Sequence, residues 1–168
     1  MIARNRIWEE MKQAKANILC LQKYTDKKRG RLRYYNMSIA LLASGGALGS
    51  VINMWIPTVT SFIVAFGSII KSVMPNFLQT EPELLELDGL SDFYSEYLNH
   101  LEKIWYDSDN DIIDEQKAMS QFFELKESEC DKASILNRGV TNISKKMQNR
   151  INEEAGEYIN RVYFTKTE

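Results

Sequence analysis

Between Tyr34 and Ile70 the chain runs for 37 residues without an Asp, Glu, Lys, Arg or His. A membrane helix needs about 20 apolar residues to cross roughly 30 Å of hydrocarbon. The run is therefore nearly long enough for two crossings, and the sequence Asn-Met-Trp-Ile-Pro at 53–57 supplies a turn signal near its middle. We predict a transmembrane hairpin, with one helix over about 35–54 and a second over about 57–77.

Two other classes of segment share part of this pattern. A buried hairpin in a large soluble bundle is also uncharged, but a chain of 168 residues has little protein with which to cover both helices. A cleaved signal peptide begins within the first few residues and has a short apolar core. Here the apolar run begins only after a charged stretch of 33 residues, and it continues too far. The membrane hairpin is the preferred prediction.

The charge on the two sides of the run is very uneven. Residues 1–33 hold ten Lys or Arg against three acids, a net charge of +7, whereas residues 79–168 hold ten basic and twenty acidic side chains, a net charge of −10. Basic residues that precede a span favour the cytoplasmic side, and they also attract anionic lipid headgroups. The residues predicted to lie at the membrane surface are Lys27, Lys28, Arg29, Arg31 and Arg33. Two crossings would leave both termini in the cytoplasm, with the hairpin in the cell membrane.

Small and hydroxylated residues follow one stripe of the second predicted span, at steps of three and four. They are Thr58, Ser61, Ala65, Ser68 and Ser72. The first span contains a small-xxx-small pair at Gly45 and Gly49. Small residues let helices pack closely, and hydroxyls form hydrogen bonds between helices. The same stripe is suited to line a narrow wet pathway, although two helices alone cannot enclose a pore and several subunits would be needed. Packing and pore lining both stay open.

Helical periodicity continues on both sides of the uncharged run. Residues 1–33 carry an apolar stripe from Ile7 to Leu21, residues 87–104 carry a second, and a third extends from Ala133 to Tyr158. No alternating strand pattern competes with them. We predict an all-α protein with three regions: a basic amphipathic cytoplasmic helix at 1–33, a transmembrane hairpin at 34–77, and an acidic cytoplasmic bundle or coiled coil at 78–168 that joins subunits.

Four basic residues stand close together near the C-terminal end of this acidic region: Arg138, Lys145, Lys146 and Arg150. One interpretation is that they pair with acids of neighbouring helices, for example those between Glu124 and Asp131. The other is that they bind a phosphate-bearing ligand, to which Arg offers bidentate hydrogen bonds. The sequence does not decide between the two.

The remaining residues do not form a recognisable catalytic or metal-binding pattern. His100 is the only histidine, so one chain cannot supply a His-based metal cluster or a Ser-His-Asp triad. Cys20 and Cys130 fit no metal or redox spacing. We therefore predict a protein that is not an enzyme and has neither a metal site nor a cofactor.

The order of segments resembles the SLATT-type two-transmembrane effector families of bacterial anti-phage systems. These families share a basic amphipathic helix, here with Trp8 near its start, two close spans, and a longer cytoplasmic helical region. The resemblance implies a homo-oligomeric pore-forming effector, controlled by a nucleotide or oligonucleotide from a partner nucleotidyltransferase. On this basis the predicted function is a regulated ion channel in anti-phage immunity. The alternative is a non-conducting membrane anchor that recruits a cytoplasmic partner.

Overall fold

The structure is a computed structural model that describes residues 2–49, 61–62, 65–67, 81–141 and 143–164. Four long helices account for most of these residues: α1 (Ile2–Gly49), α2 (Glu81–Asp109), α3 (Glu115–Gly139) and α4 (Lys145–Phe164). The predicted all-helical class is confirmed for the described residues, which contain no strand. Within these same ranges, none of the helices combines the length and the apolar character that crossing a bilayer requires.

The chain divides into two compact units, and the division does not follow the order of the sequence. The first unit combines Met1–Tyr24 with Leu85–Glu168, and the second comprises Thr25–Leu84. Segments from before and after the uncharged run thus fold together in one unit, whereas the residues next to the run belong to the second unit. Helix α1 contributes its first part to the first unit and continues without a break to Gly49.

The first unit is a four-helix bundle in which α1 and α2 run antiparallel at the centre. Near the start of α1, Arg4 Nη1 lies 2.8 Å from Oδ1 of Asp109, at the end of α2. Farther along, the Tyr97 hydroxyl of α2 donates a hydrogen bond to Glu10 of α1. The indole rings of Trp8 and Trp105 pack between these two levels, with centroids 5.6 Å apart.

Helices α3 and α4 pack against this central pair from different directions. Helix α3 runs parallel to α1, because the Ala3 backbone N–H contacts Glu115 at the start of α3 and Lys126 pairs with Glu10. Helix α4 runs antiparallel to α1, since its C-terminal Tyr163 packs against Trp8 at a centroid distance of 5.8 Å. The resulting arrangement is up-down-up-down, with short loops joining α2 to α3 and α3 to α4.

The core of the bundle consists of the apolar stripes predicted on the first two helices. Residues spaced by three and four lie on one face of a helix, and all the stripe residues of α1 and α2 are buried. They are Ile7, Met11, Ala14, Ile18 and Leu21 of α1, and Leu87, Leu90, Tyr94, Tyr97, Leu101 and Ile104 of α2. A smaller cluster of Ala16, Cys20, Ile151 and Ala155 joins α1 to α4.

The third predicted stripe belongs to two helices rather than one. Helix α3 ends at Gly139, where the backbone becomes extended at Val140, and α4 begins at Lys145. A Cβ atom at Gly139 would lie 2.7 Å from the Leu87 side chain, so the absence of a side chain permits this close approach to α2. Ser144 then caps α4, because its side-chain oxygen accepts a hydrogen bond from the backbone N–H of Met147 at 3.3 Å.

The break between α2 and α3 follows the acidic turn that the sequence contains. Asp111 adopts a left-handed conformation with φ 56°, which Asp tolerates better than most residues. Asp114 caps α3 by accepting a hydrogen bond from the Lys117 backbone N–H at 2.7 Å. These two residues turn the chain and start the next helix within a few residues.

The second unit contains the end of the basic stretch and the start of the uncharged run on α1. Residues 61–62 and 65–67 of this unit are also helical. The Tyr35 hydroxyl donates a hydrogen bond to the Gly67 carbonyl oxygen at 3.4 Å, which places these distant positions side by side. The predicted turn at 53–57 and most of the predicted second span lie outside the described residues.

Candidate functional site

A network of polar side chains crosses the bundle where α1, α2 and α3 meet. One carboxylate oxygen of Glu10 accepts hydrogen bonds from the Tyr97 hydroxyl at 3.2 Å and from Lys126 Nζ at 2.6 Å. Lys126 also lies 3.3 Å from Glu129, whose other oxygen accepts from the Tyr94 hydroxyl at 2.8 Å. Each of the three helices is thus tied to the others by hydrogen bonds that include a charged group, the stronger kind in proteins.

This network changes the titration of its members. Burial raises the pKa of both Tyr94 and Tyr97, and the neighbouring carboxylates of Glu129 and Glu10 raise the two pKa values further. Burial opposes the charge of Lys126, but its hydrogen bond and ion pairs with the two carboxylates outweigh that effect, and its pKa is raised. The tyrosines therefore act as stable hydrogen-bond donors, and Lys126 remains a cation between two acids.

The raised tyrosine pKa values predict a loss of bundle stability at high pH. Tyrosines of the unfolded chain ionise near pH 10, whereas Tyr94 and Tyr97 keep their protons in the folded state. Their contribution to the free energy of unfolding is fully present below about pH 10 and is lost as the pH rises above that value. Between about pH 10 and 12, the free energy of unfolding of the double variant Tyr94→Phe/Tyr97→Phe, measured by urea unfolding, should fall less steeply than that of the unsubstituted protein.

A matched control for this pH series is Tyr34→Phe, because the Tyr34 side chain is 76% exposed. The control should follow the profile of the unsubstituted protein throughout. If the free energy of unfolding of the double variant falls as steeply as that of the unsubstituted protein, Tyr94 and Tyr97 are not the source of the pH dependence.

A groove with a volume of about 620 Å³ lies beside the network, between α2 and α3. Its lining combines apolar side chains with charges of both signs, and the acids outnumber the lysines: Phe93, Ile104 and Leu125, then Lys103 and Lys117, then Glu96, Asp107 and Glu124. Its volume lies within the range of small-molecule sites. The groove also reaches Tyr97 and the solitary histidine, His100.

The four basic residues predicted to bind a ligand do not share one helix. Arg138 lies in the last turn of α3, where its guanidinium donates to the Ser134 hydroxyl at 2.8 Å. Lys145 and Lys146 are exposed in the first turn of α4. Arg150 pairs with Glu154 of its own helix at 2.9 Å, and Lys23 of α1 pairs with the same carboxylate. Of the four residues, Arg150 thus pairs with an acid, Glu154, which is not among the example acids from Glu124 to Asp131.

The hydrogen bonds at Glu154 lower the pKa of its carboxyl group, with Lys23 making the largest contribution and Arg150 adding to it. The carboxylate therefore stays ionised between its two cations. Lys23 joins helix α4 to α1 at this point, whereas Arg150 pairs with Glu154 within its own helix. All four residues of the predicted group are exposed, and the Arg150 side chain is 76% exposed.

Some of the predicted membrane-associated residues fall within the described ranges. Ser61 and Ala65 are exposed, whereas Thr58, Ser68 and Ser72 lie outside the described residues. Gly45 and Gly49 are helical positions of α1. The predicted membrane-surface residues all lie on α1 as well; Lys27, Arg31 and Arg33 are exposed, and Lys28 and Arg29 are partly exposed.

The sequence did not reveal the polar network, although two signals point to it. Tyr94 and Tyr97 stand in an apolar stripe, and buried tyrosine hydroxyls usually require a partner. Glu129 follows Ala118 and Phe122 on the same face of α3, where an apolar residue is the usual occupant. Among the described residues, no group of three or more His, Cys, Asp or Glu side chains is arranged to hold a metal ion.

Comparison of the chain with protein-family models, curated proteins and solved structures gives no match.

Proposed function

We propose that this protein is a regulated pore-forming membrane effector, in which the bundle controls an oligomeric pore built from the uncharged hairpin. The observation that carries the proposal is the composition of the bundle. It combines Met1–Tyr24 with Leu85–Glu168, so a segment before the uncharged run and a segment after it belong to one compact unit. A compact unit lies on one side of a bilayer, and a run inserted from it must cross an even number of times. A run of 37 uncharged residues suits two crossings.

The hydrogen bond between Tyr35 and Gly67 supports the same topology. It joins the first residues of the uncharged run to residues near its end, as a hairpin requires. The position midway between them in the chain is residue 51, two residues before the predicted turn at 53–57. The resemblance to two-transmembrane effectors is consistent with this arrangement.

Helix α1 offers a route by which the bundle influences the hairpin. It is one continuous helix from Ile2 to Gly49, and it carries both Glu10 of the polar network and the first part of the uncharged run. A signal that binds the bundle would shift the pore between states only if it has a higher affinity for one of them. Helix α4 begins with Lys145 and Lys146, and its Glu154 pairs with Lys23 of α1, so a ligand bound at the start of α4 would act on a helix that contacts α1.

The proposed signal is a nucleotide or oligonucleotide made by a partner nucleotidyltransferase. This part of the proposal depends on the family resemblance and on the exposed cations Arg138, Lys145 and Lys146. Guanidinium and ammonium groups suit phosphate, and Arg provides two parallel hydrogen bonds to it. The pore itself requires several copies of the chain, because two helices cannot surround a pathway.

Ion flux through liposomes that contain the full-length protein tests the proposal. We expect flux above that of protein-free liposomes, with a change on addition of oligonucleotides or cyclic nucleotides. Alkaline extraction of the same liposomes reports whether the protein is inserted, and crosslinking reports whether it is oligomeric. Tight liposomes despite correct oligomeric insertion would contradict the pore and favour the alternative, a membrane anchor that recruits a cytoplasmic partner.

A further inference from the structure

The second unit contains a cavity of about 820 Å³ on the side of α1 that faces the start of α2. Residues of α1 spaced by three and four form most of its wall, and Glu81 supplies the opposite side. The lining residues are Asp26, Arg29, Gly30, Leu32, Arg33, Asn36, Met37 and Glu81. All of them belong to the unit Thr25–Leu84.

Only some of the basic residues before the uncharged run face this cavity. Arg29 and Arg33 are one helical turn apart and both line it. Lys27 and Arg31 are exposed and do not line it. At 3.6 residues per turn, Lys27 and Arg31 lie on the face of α1 opposite the cavity. The basic stretch therefore has two faces that carry the same charge, and one of them borders the open cavity.

The cavity holds charges of both signs. The guanidinium groups of Arg29 and Arg33 are accompanied by the carboxylates of Asp26 and Glu81. A simple anion is attracted by the two Arg side chains but repelled by the two acids. A group that carries both a phosphate and an ammonium meets complementary charges from all four side chains, with the phosphate on the arginines and the ammonium on the carboxylates.

The position of the cavity along the chain indicates where such a group would come from. Arg33 is the last charged residue before the uncharged run, and Asn36 and Met37 lie in the first turn of that run. If the run spans a bilayer, as proposed above, the cavity lies at the level of the lipid headgroups. Leu32 and Met37 add apolar contacts suited to the glycerol and first acyl carbons.

We infer that this cavity is a binding site for a phosphoethanolamine headgroup, supplied by phosphatidylethanolamine of the surrounding membrane; the choice of a lipid source rests on the proposed function. Arg29 and Arg33 hold the phosphate, and Asp26 and Glu81 hold the ammonium group. The opposite face, with Lys27 and Arg31, contributes only general attraction to an anionic surface.

Native mass spectrometry of the full-length protein in detergent tests the site without depending on membrane insertion. The probes are dioleoylphosphatidylethanolamine, dioleoylphosphatidylglycerol and soluble O-phosphoethanolamine. We expect a preference of about fivefold or more for the first lipid over the second, since only it complements both pairs of charges. Arg29→Gln/Arg33→Gln should lower its binding about tenfold, whereas the matched control Lys27→Gln/Arg31→Gln, which removes the same two charges, should leave it unchanged.

The acidic side chains make a separate prediction about selectivity. Asp26→Asn/Glu81→Gln should reverse the preference and favour phosphatidylglycerol, because the repulsion of a net anion is removed. Helix content by circular dichroism confirms that each variant is folded. Three results would overturn the inference. The first is an equal loss of lipid binding in Arg29→Gln/Arg33→Gln and in the control Lys27→Gln/Arg31→Gln. The others are equal binding of the two lipids by the unsubstituted protein, and competition by soluble O-phosphoethanolamine at the same concentration as the lipid.

Failure of the proposed function has a different signature. Alkaline extraction of vesicles would then release the protein, whatever the detergent titration shows. A protein that inserts but does not distinguish the two lipids contradicts the headgroup site alone.

Discussion

Leu101→Ala is expected to lower the free energy of unfolding of the bundle by about 3 kcal/mol, within the range of roughly 2–5 kcal/mol for a buried leucine. The Leu101 side chain is 0% exposed and belongs to the cluster that joins α1 and α2. Truncation removes its apolar contacts and leaves a cavity that the surrounding helices fill only in part. Urea unfolding followed by circular dichroism at 222 nm measures the effect.

Leu85→Ala is the matched control for this substitution. Leu85 lies on the same helix, but its side chain is 61% exposed, so the expected change is below about 0.5 kcal/mol. Similar losses in the two variants would contradict the packing of α2 against α1. A large loss in the Leu101 variant alone would support the core described above.

Ser68→Leu is expected to reduce ion flux in liposomes by about tenfold or more, because a leucine narrows a pathway and makes it apolar enough to expel water. The prediction comes from the sequence stripe that includes Ser61 and Ser72. Assembly of the oligomer should be unaffected, because leucine is energetically favourable in a membrane helix. Flux assays on matched amounts of inserted, crosslinked oligomer separate a conduction defect from an assembly defect.

The neighbouring substitution Ile69→Leu provides the comparison. It lies outside the stripe, keeps an apolar side chain of similar volume, and should leave the flux unchanged. Full flux through the Ser68 variant would remove Ser68 from the pathway. Equal losses in both variants would show that the flux responds to any repacking of this segment.

Much of the bundle could be predicted from the sequence because its stripes have a simple physical origin. Ile7, Met11 and Leu21 of α1 recur at helical spacing, and so do the buried positions of α2, so the faces that meet could be recognised without a structure. The sequence could not show which helices meet. The pairing of residues 1–24 with residues 85–168 is a long-range result of packing, and no local pattern encodes it.

The break in the third stripe was missed because apolar periodicity continues across it. Met147 and Ile151 follow Leu136 and Val140 at steps suited to one helix, yet α3 ends at Gly139. The local signals were the glycine and the capping serine at 144, and they outweigh the periodicity. The consequence for function is that Arg138 and Lys145 lie on different helices.

The polar network and the cavity of the second unit could not be predicted from the sequence, for a different reason. Glu10 and Lys126 are 116 residues apart, and their 2.6 Å contact depends on the parallel packing of α1 and α3. Likewise, Glu81 joins Arg29 and Arg33 only because the chain returns to this part of α1. The charge pattern of the sequence indicated the basic stretch, but it did not distinguish the face that lines the cavity from the opposite face.

The most direct test of the membrane hairpin is cysteine labelling from each side of the membrane with an impermeant maleimide. Cys130 is exposed, and burial raises the pKa of Cys20, which is replaced by Ala to leave single-cysteine variants. Asn5→Cys reports the N-terminal flank and Trp55→Cys reports the predicted turn, and each of these two variants also carries Cys130→Ala. The account predicts labelling of positions 5 and 130 in inverted vesicles only, and of position 55 in spheroplasts only. Labelling of positions 5 and 130 from opposite sides, or of position 55 from the same side as position 130, would contradict it.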